Sequence, residues 1–213
     1  MIRKSVQNLK PYTPGEQPKI SNIVKLNTNE NAYPPSPKVA AALRDFAANA
    51  LNLYPDPLCV RIREHLAKLH GCEADDIFVG NGSDEVLRLA TGAWVEDDGA
   101  IGFFNTSYSL YPVLAEIREV PGIALPLPDA PDLPDCLAKA ALPKAPDLFF
   151  VANPNAPTST QFPKAAMRKF CERFPGVVVI DEAYAAFADE DCLGLALSLP
   201  NAVVCRTMSK AWS

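Results

Sequence analysis

The sequence predicts an α/β protein: a three-layer α/β/α fold on a mostly parallel, mixed sheet. From residue 77 onward, short apolar runs alternate with amphipathic segments of helical length, the pattern of β–α–β units. The run Val177-Val178-Val179-Ile180 is continuously β-branched and aliphatic, as expected of a strand covered on both faces. Composition agrees. Of 213 residues, 48% are hydrophobic and 21% charged, which excludes a disordered chain. With 20 basic and 25 acidic side chains the net charge is −5, the wrong sign for a broad nucleic-acid footprint.

The elements follow in order. Residues 1–35, rich in Pro, Asn, Thr and Lys, read as an extended N-terminal arm leading into a small domain, and residues 36–213 as a large domain. Ser36-Pro37 is a cap followed by proline at the first helical position, with Val39, Leu43, Phe46 and Ala47 on one face. Asp56-Pro57 repeats the signal ahead of Leu58, Ile62, Leu66 and Leu69, and Gly71 marks the stop. Strands are expected at Ile77–Val79, Ala100–Phe104, Leu148–Ala152, Val177–Ile180 and Ala202–Arg206, with a weaker one around Ile117–Leu125. Helices are expected near Asp84–Ala93, Tyr108–Ile117, Leu133–Leu142 and Pro163–Phe174. The stretch Pro121–Pro146 holds seven of the 21 prolines and reads as a linker around one short helix.

The N-terminus lacks an apolar stretch behind Arg3 and Lys4, and no run approaches the roughly 20 apolar residues of a membrane span. Six scattered cysteines without a secretory signal are expected as reduced thiols in the cytoplasm. His65 and His70 are five apart, off a common helical face, and no cysteine pair has ligand spacing, so no metal site is expected.

Open α/β sheets bind ligands at the carboxyl ends of their strands. Five successive strand ends here carry polar residues: Gly80–Glu85, Asn105–Tyr108, Asn153–Thr158, Asp181–Tyr184 and Thr207–Lys210. Gly82-Ser83-Asp84 opens a helix, so its free N–H groups make a ready anion site; alone, it reads equally well as an ordinary cap. Asp181 ends a buried strand, where a carboxylate needs a cation or a donor such as a protonated pyridine nitrogen. Its other reading is the cap of the segment that follows. Tyr108 could stack on a flat ring; taken alone, it reads as a packing aromatic. Lys210, in a partly desolvated site, could form a Schiff base; taken alone, it reads as a solvated loop lysine.

In these residues the chain resembles the fold-type I pyridoxal-phosphate aminotransferases, and among them is most similar to the histidinol-phosphate aminotransferase family. The matches are Lys25–Asn31, Leu53–Pro57, Gly80–Glu85, Ser107–Tyr111, Asp181–Tyr184 and Ser209–Ala211, six short motifs in the family's order. The resemblance runs from Tyr12 to the last residue. It implies a pyridoxal 5'-phosphate cofactor, Schiff-base chemistry and acid/base work at Lys210, and Asp181 at the ring nitrogen. Tyr184 would bond the ring hydroxyl oxygen and Tyr108 would stack on the ring. The Gly82, Ser83 and Asp84 amides and Ser209 would take the phosphate. Tyr54 would reach the partner subunit's cofactor, implying a homodimer with shared sites, and Tyr12 and Asn29 would touch substrate. Where the family has Asn before its Pro-Thr-Gly turn this chain has Ala156, with Ser159 in place of Gly; Asn155 or Asn153 would substitute, and Asn155 is the one expected.

The family continues well over a hundred residues past the lysine. The resemblance therefore implies a large domain incomplete at its C-terminal end, lacking a last strand, a phosphate-binding arginine and the C-terminal small domain. The expected function is amino transfer between L-histidinol phosphate and 2-oxoglutarate in histidine biosynthesis. Alternatives are an aromatic amino-acid aminotransferase, a threonine-phosphate decarboxylase, or an inactive N-terminal fragment. An NAD-type domain is disfavoured because no glycine-rich dinucleotide fingerprint follows the first strand.

Overall fold

A computed structural model of the chain describes residues 2–9, 15–16, 19–20, 22–46, 51–140, 142 and 144–213. The helices are α1 (Lys4–Asn8), α2 (Pro37–Arg44), α3 (Val60–His70), α4 (Ser83–Trp94), α5 (Leu110–Arg118), α6 (Cys136–Ala140), α7 (Lys164–Arg173) and α8 (Leu193–Ala196). The strands are β1 (Ile101–Phe104), β2 (Gly122–Leu125), β3 (Leu148–Ala152), β4 (Val177–Asp181) and β5 (Ala202–Cys205). Two compact units result: Met1–Glu16 with Asn81–Thr207, and Gln17–Gly80 with Met208–Ser213.

The first unit holds a five-stranded sheet in the order β2-β1-β3-β4-β5, every pairing parallel. Register sets Ala152 opposite Asp181 and Asp181 opposite Cys205, so the polar strand ends line up along one edge. Alternate residues of β3 feed the two faces. Phe149 and Val151 pack with Phe104, Met167, Phe170, Phe174 and Leu195, under α7 and α8. Leu148 and Phe150 pack with Leu87, Ala90, Tyr111 and Leu114, under α4 and α5. These are the expected three layers. Phe149 anchors the first cluster, with ring centroids 5.1 Å from Phe104, 5.4 Å from Phe170 and 5.9 Å from Phe174.

Three sequence expectations change. Residues Ile77–Val79 form no strand: the 3-10 turn Ala74–Asp76, closed by a Glu73/Asp76 capping box, precedes them, and Phe78 is exposed. Three apolar residues cannot make a strand without a neighbour to pair with. The weak run around Ile117–Leu125 divides into the end of α5, a left-handed Glu119 and β2. The helix expected at Leu133–Leu142 starts as a 3-10 turn, Ala130–Asp135, and becomes α-helical only at α6, because Pro134 lacks an N–H to donate.

In the second unit, Ser36 Oγ accepts from the Lys38 N–H at 3.3 Å and Pro37 opens α2, as expected. Asp56 caps α3 from a distance, its carboxylate accepting from the N–H groups of Leu58 (3.0 Å) and Val60 (2.7 Å). The helix therefore starts at Val60 and not at Pro57. Gly71 ends it with φ +68°, a left-handed conformation that glycine adopts at no steric cost. Among the described residues of this unit only Ala67 is buried. No helix among the described residues is long and apolar enough to cross a membrane, and they hold no cluster of three or more metal-ligating side chains.

Candidate active site

In the first unit, the expected residues gather where β1, β3 and β4 end and α4 begins. Asp181 closes β4 and is 4% exposed. Its Oδ2 accepts from the Tyr111 hydroxyl at 2.9 Å and its Oδ1 from the Ala183 N–H at 3.1 Å. Burial raises its pKa above the usual carboxylate range; those two bonds pull the other way, and the nearby Asp84 and Glu182 charges add to the rise. Tyr111 lies flat on Phe150, centroids 4.8 Å apart and planes 9° from parallel. Burial, followed by the Asp181 charge, pushes its phenol well above the ordinary value, so it stays a donor.

Tyr108 stands edge-on to Tyr111 at 5.7 Å, and its hydroxyl donates to Asp84 at 3.1 and 3.3 Å. Asp84 and Ser83 form the first turn of α4, whose cap is Gly82 at φ +82° with no side-chain cap. Glu85 reaches back to accept the Asn81 N–H at 2.5 Å. Gly82-Ser83-Asp84 thus opens a helix as the sequence suggested, and no side chain caps its N-terminus.

Asn155 is buried, and its amide is committed. Its Oδ1 accepts from Ser107 Oγ (2.6 Å), while Nδ2 donates to the Thr106 carbonyl (2.8 Å) and to Thr158 Oγ1 (2.8 Å). One amide hydrogen therefore serves the turn that carries Tyr108 and the other closes Asn155's own turn onto Thr158. Asn153 is likewise tied to Phe162 through both backbone groups and to Cys192 Sγ. Tyr184, half-buried, caps the 3-10 turn Ala185–Phe187.

Sequence reasoning missed two groups beside these. Tyr111 lay inside a quoted motif but had no role; its position three residues after Tyr108, at the start of one helix, was the available clue. The second is an ion cluster. Arg206 meets Glu182 through Nε (2.9 Å) and Nη2 (2.8 Å) and Asp191 at 2.9 Å, while the Cys192 N–H bonds Glu182 Oε1 at 2.5 Å.

In the second unit, Asn29 has left-handed φ +52°. Glu30 is paired with Lys25 at 2.5 Å, which together with Thr28 and the Lys210 charge holds its carboxyl below the usual range. Asn31 Nδ2 donates to the Ala211 carbonyl at 3.1 Å, fastening this segment to the turn carrying Ser209 and Lys210. A shallow hollow of about 540 Å³ opens here, lined by Glu30, Asn31, Tyr33 and Ser209 among others. Tyr54 is fully exposed. Tyr12 lies outside the described residues.

The sequence profile of aminotransferase class I and II matches residues 21–213. The chain belongs to that family. It is similar to histidinol-phosphate aminotransferase 1 of Methylococcus capsulatus, 41% identical over 98% of this chain and 57% of that protein. It is also similar to the histidinol-phosphate aminotransferase of Syntrophus aciditrophicus, 40% identical over all of this chain and 60% of that protein. The chain spans somewhat more than half the length of these relatives. Among solved structures, the Sinorhizobium meliloti histidinol-phosphate aminotransferase in complex with pyridoxal-5'-phosphate aligns with a TM-score of 0.78 at 27% identity, over 87% of this chain and 52% of that one.

The cofactor of these aminotransferases, pyridoxal 5'-phosphate, carries a basic ring nitrogen and a phosphate. The donor set fits both. Asp181 is a buried carboxylate whose two holders, the Tyr111 hydroxyl and the Ala183 amide, are neutral, so a protonated ring nitrogen would supply the missing cation. The α4 N-terminus, uncapped by any side chain, suits the phosphate.

Proposed function

We propose that the protein carrying this chain is a pyridoxal-phosphate enzyme that transfers an amino group between L-histidinol phosphate and 2-oxoglutarate. The observation that carries this reading is Asp181: a carboxylate buried at a strand end, held by neutral donors, beside an uncapped helix N-terminus. Identity of about two residues in five to histidinol-phosphate aminotransferases supports the choice of substrate. When bound, the cofactor acts as an electron sink that acidifies the carbon–hydrogen bond next to the substrate nitrogen.

The chain's own residues would do the rest. Asp181 would keep the ring nitrogen protonated, because the ion pair offsets the burial that raises its pKa. The α4 amides of Gly82, Ser83 and Asp84, with Ser209, would hold the phosphate. Tyr108 would cover one ring face, and Tyr184 would donate to the ring hydroxyl oxygen. Asn155 would act through the Ser107–Tyr108 turn that its amide ties down. Lys210 would supply the amine that anchors the cofactor and would act as the acid/base that takes the proton from the substrate carbon bearing the nitrogen and returns it on the cofactor side. Tyr12 and Asn29 would contact substrate. Tyr54 would serve the site of a second copy in a homodimer, in keeping with its full exposure. Six unpaired cysteines, four of them buried, suit a reducing, cytoplasmic setting.

Steady-state rates of the full-length protein with histidinol phosphate, phenylalanine and threonine phosphate test the substrate. Histidinol phosphate should give the highest kcat/KM with 2-oxoglutarate as acceptor. A preference for phenylalanine, or carbon dioxide release from threonine phosphate, would overturn the assignment.

A further inference from the structure

We propose that Tyr111 is a positioning residue for the candidate site: its hydroxyl orients the Asp181 carboxylate so that the carboxylate can receive a cationic ring nitrogen. The inference rests on the reading of Asp181 given above. Tyr111 is fully buried, lies parallel on Phe150, and is crossed edge-on by Tyr108, so neighbouring rings hold it from two sides. The hydroxyl ends 2.9 Å from Asp181 Oδ2 while the Ala183 amide takes Oδ1, which fixes the carboxylate plane from two sides. Both donors are neutral. They orient the charge without cancelling it, leaving it unpaired for a cation.

Tyr111 also belongs to a continuous path. It touches Tyr108, which bonds Asp84 in the first turn of α4, so one string of side chains joins the ring-nitrogen end of the site to its anion end. Among the described residues, the ionisable groups that bear on Asp181 include Tyr111 from α5, Asp84 from α4, Glu182 beside it and Cys205 from β5. The Asp84 and Glu182 charges oppose that of the carboxylate.

The test uses full-length protein with Tyr111→Phe, which keeps the ring stack and removes only the hydroxyl. Two readouts are taken. In cofactor-free protein, NMR of ¹³Cγ-labelled aspartate follows the Asp181 titration, which should move to higher pH. Pyridoxal 5'-phosphate titration should show affinity about tenfold weaker, the loss of one hydrogen bond to a charged group. In an Asp181→Asn background the same substitution should change affinity little, since the residues act as a pair. Should Tyr111→Phe not fold, 3-fluorotyrosine at position 111, a stronger donor of the same shape, should shift the titration downward instead. An unmoved Asp181 titration with unchanged affinity overturns the role of Tyr111. If Asp181→Asn itself leaves cofactor affinity intact, the reading of Asp181 fails, and the proposal with it.

Discussion

Arg206→Met puts the buried ion cluster to a quantitative test. The Glu182 side chain has no exposed surface, and its Oε2 receives both Arg206 contacts at 2.8–2.9 Å. Burial opposes the charge on Arg206, but the bonds to Glu182 and then Asp191 outweigh it and raise its pKa further. Removing one partner of a buried ion pair costs about 3–5 kcal/mol, because the other charge is left uncompensated. Arg206 is 30% exposed, so water screens part of this. A loss of about 2–4 kcal/mol is expected. The Asp191 arm, 45% exposed, adds under about 1 kcal/mol. At about 2–4 °C per kcal/mol for a chain of this size, the melting temperature should fall by roughly 5–15 °C. Glu182→Gln keeps an acceptor for the Cys192 amide, so adding it to Arg206→Met should restore more than half of the loss. Urea and thermal denaturation followed by circular dichroism measure both. A loss below about 1 kcal/mol, or a double variant no more stable than the single one, refutes the reasoning.

Cofactor-free Asp181→Asn should be more stable than wild type at neutral pH. The folded chain raises the Asp181 pKa above its ordinary 3.8, so the folded state binds the proton more tightly than the unfolded state. Wild-type stability is therefore lost as pH rises through the folded value, and the difference between the two proteins should close as pH falls toward 3.8, which paired melts will read. Phe149→Ala empties the centre of an aromatic cluster and should cost about 3–5 kcal/mol in urea melts. Gly82→Ala must adopt φ +82° at the head of α4, at a cost of roughly 1–2 kcal/mol, and should weaken pyridoxal-phosphate binding in a fluorescence titration.

Most of the first unit could be read from its pattern. A continuous β-branched run such as Val177–Ile180 has no good alternative to a doubly covered strand, and β4 is that run plus Asp181. Ser36-Pro37 behaved as written because capping is a local interaction. Ile77–Val79 did not, since a strand exists only with a neighbour, and pairing is not local. The same limit applies at the site. Strand-end position pointed to Asp181, Asp84 and Tyr108, but the Tyr111–Asp181 bond joins residues 70 apart, and Asn155 meets Ser107 across 48. Asn155 shows the consequence: the resemblance implied a ring contact for it, and the fold gives one of its amide hydrogens to the Thr106 carbonyl and the other to Thr158 Oγ1.

Borohydride reduction of the full-length protein after loading with pyridoxal 5'-phosphate, followed by peptide mapping, tests the proposed chemistry most directly. A pyridoxyl group on Lys210 is the predicted result. A protein that binds the cofactor yet yields the adduct on another lysine, or on none, would contradict it.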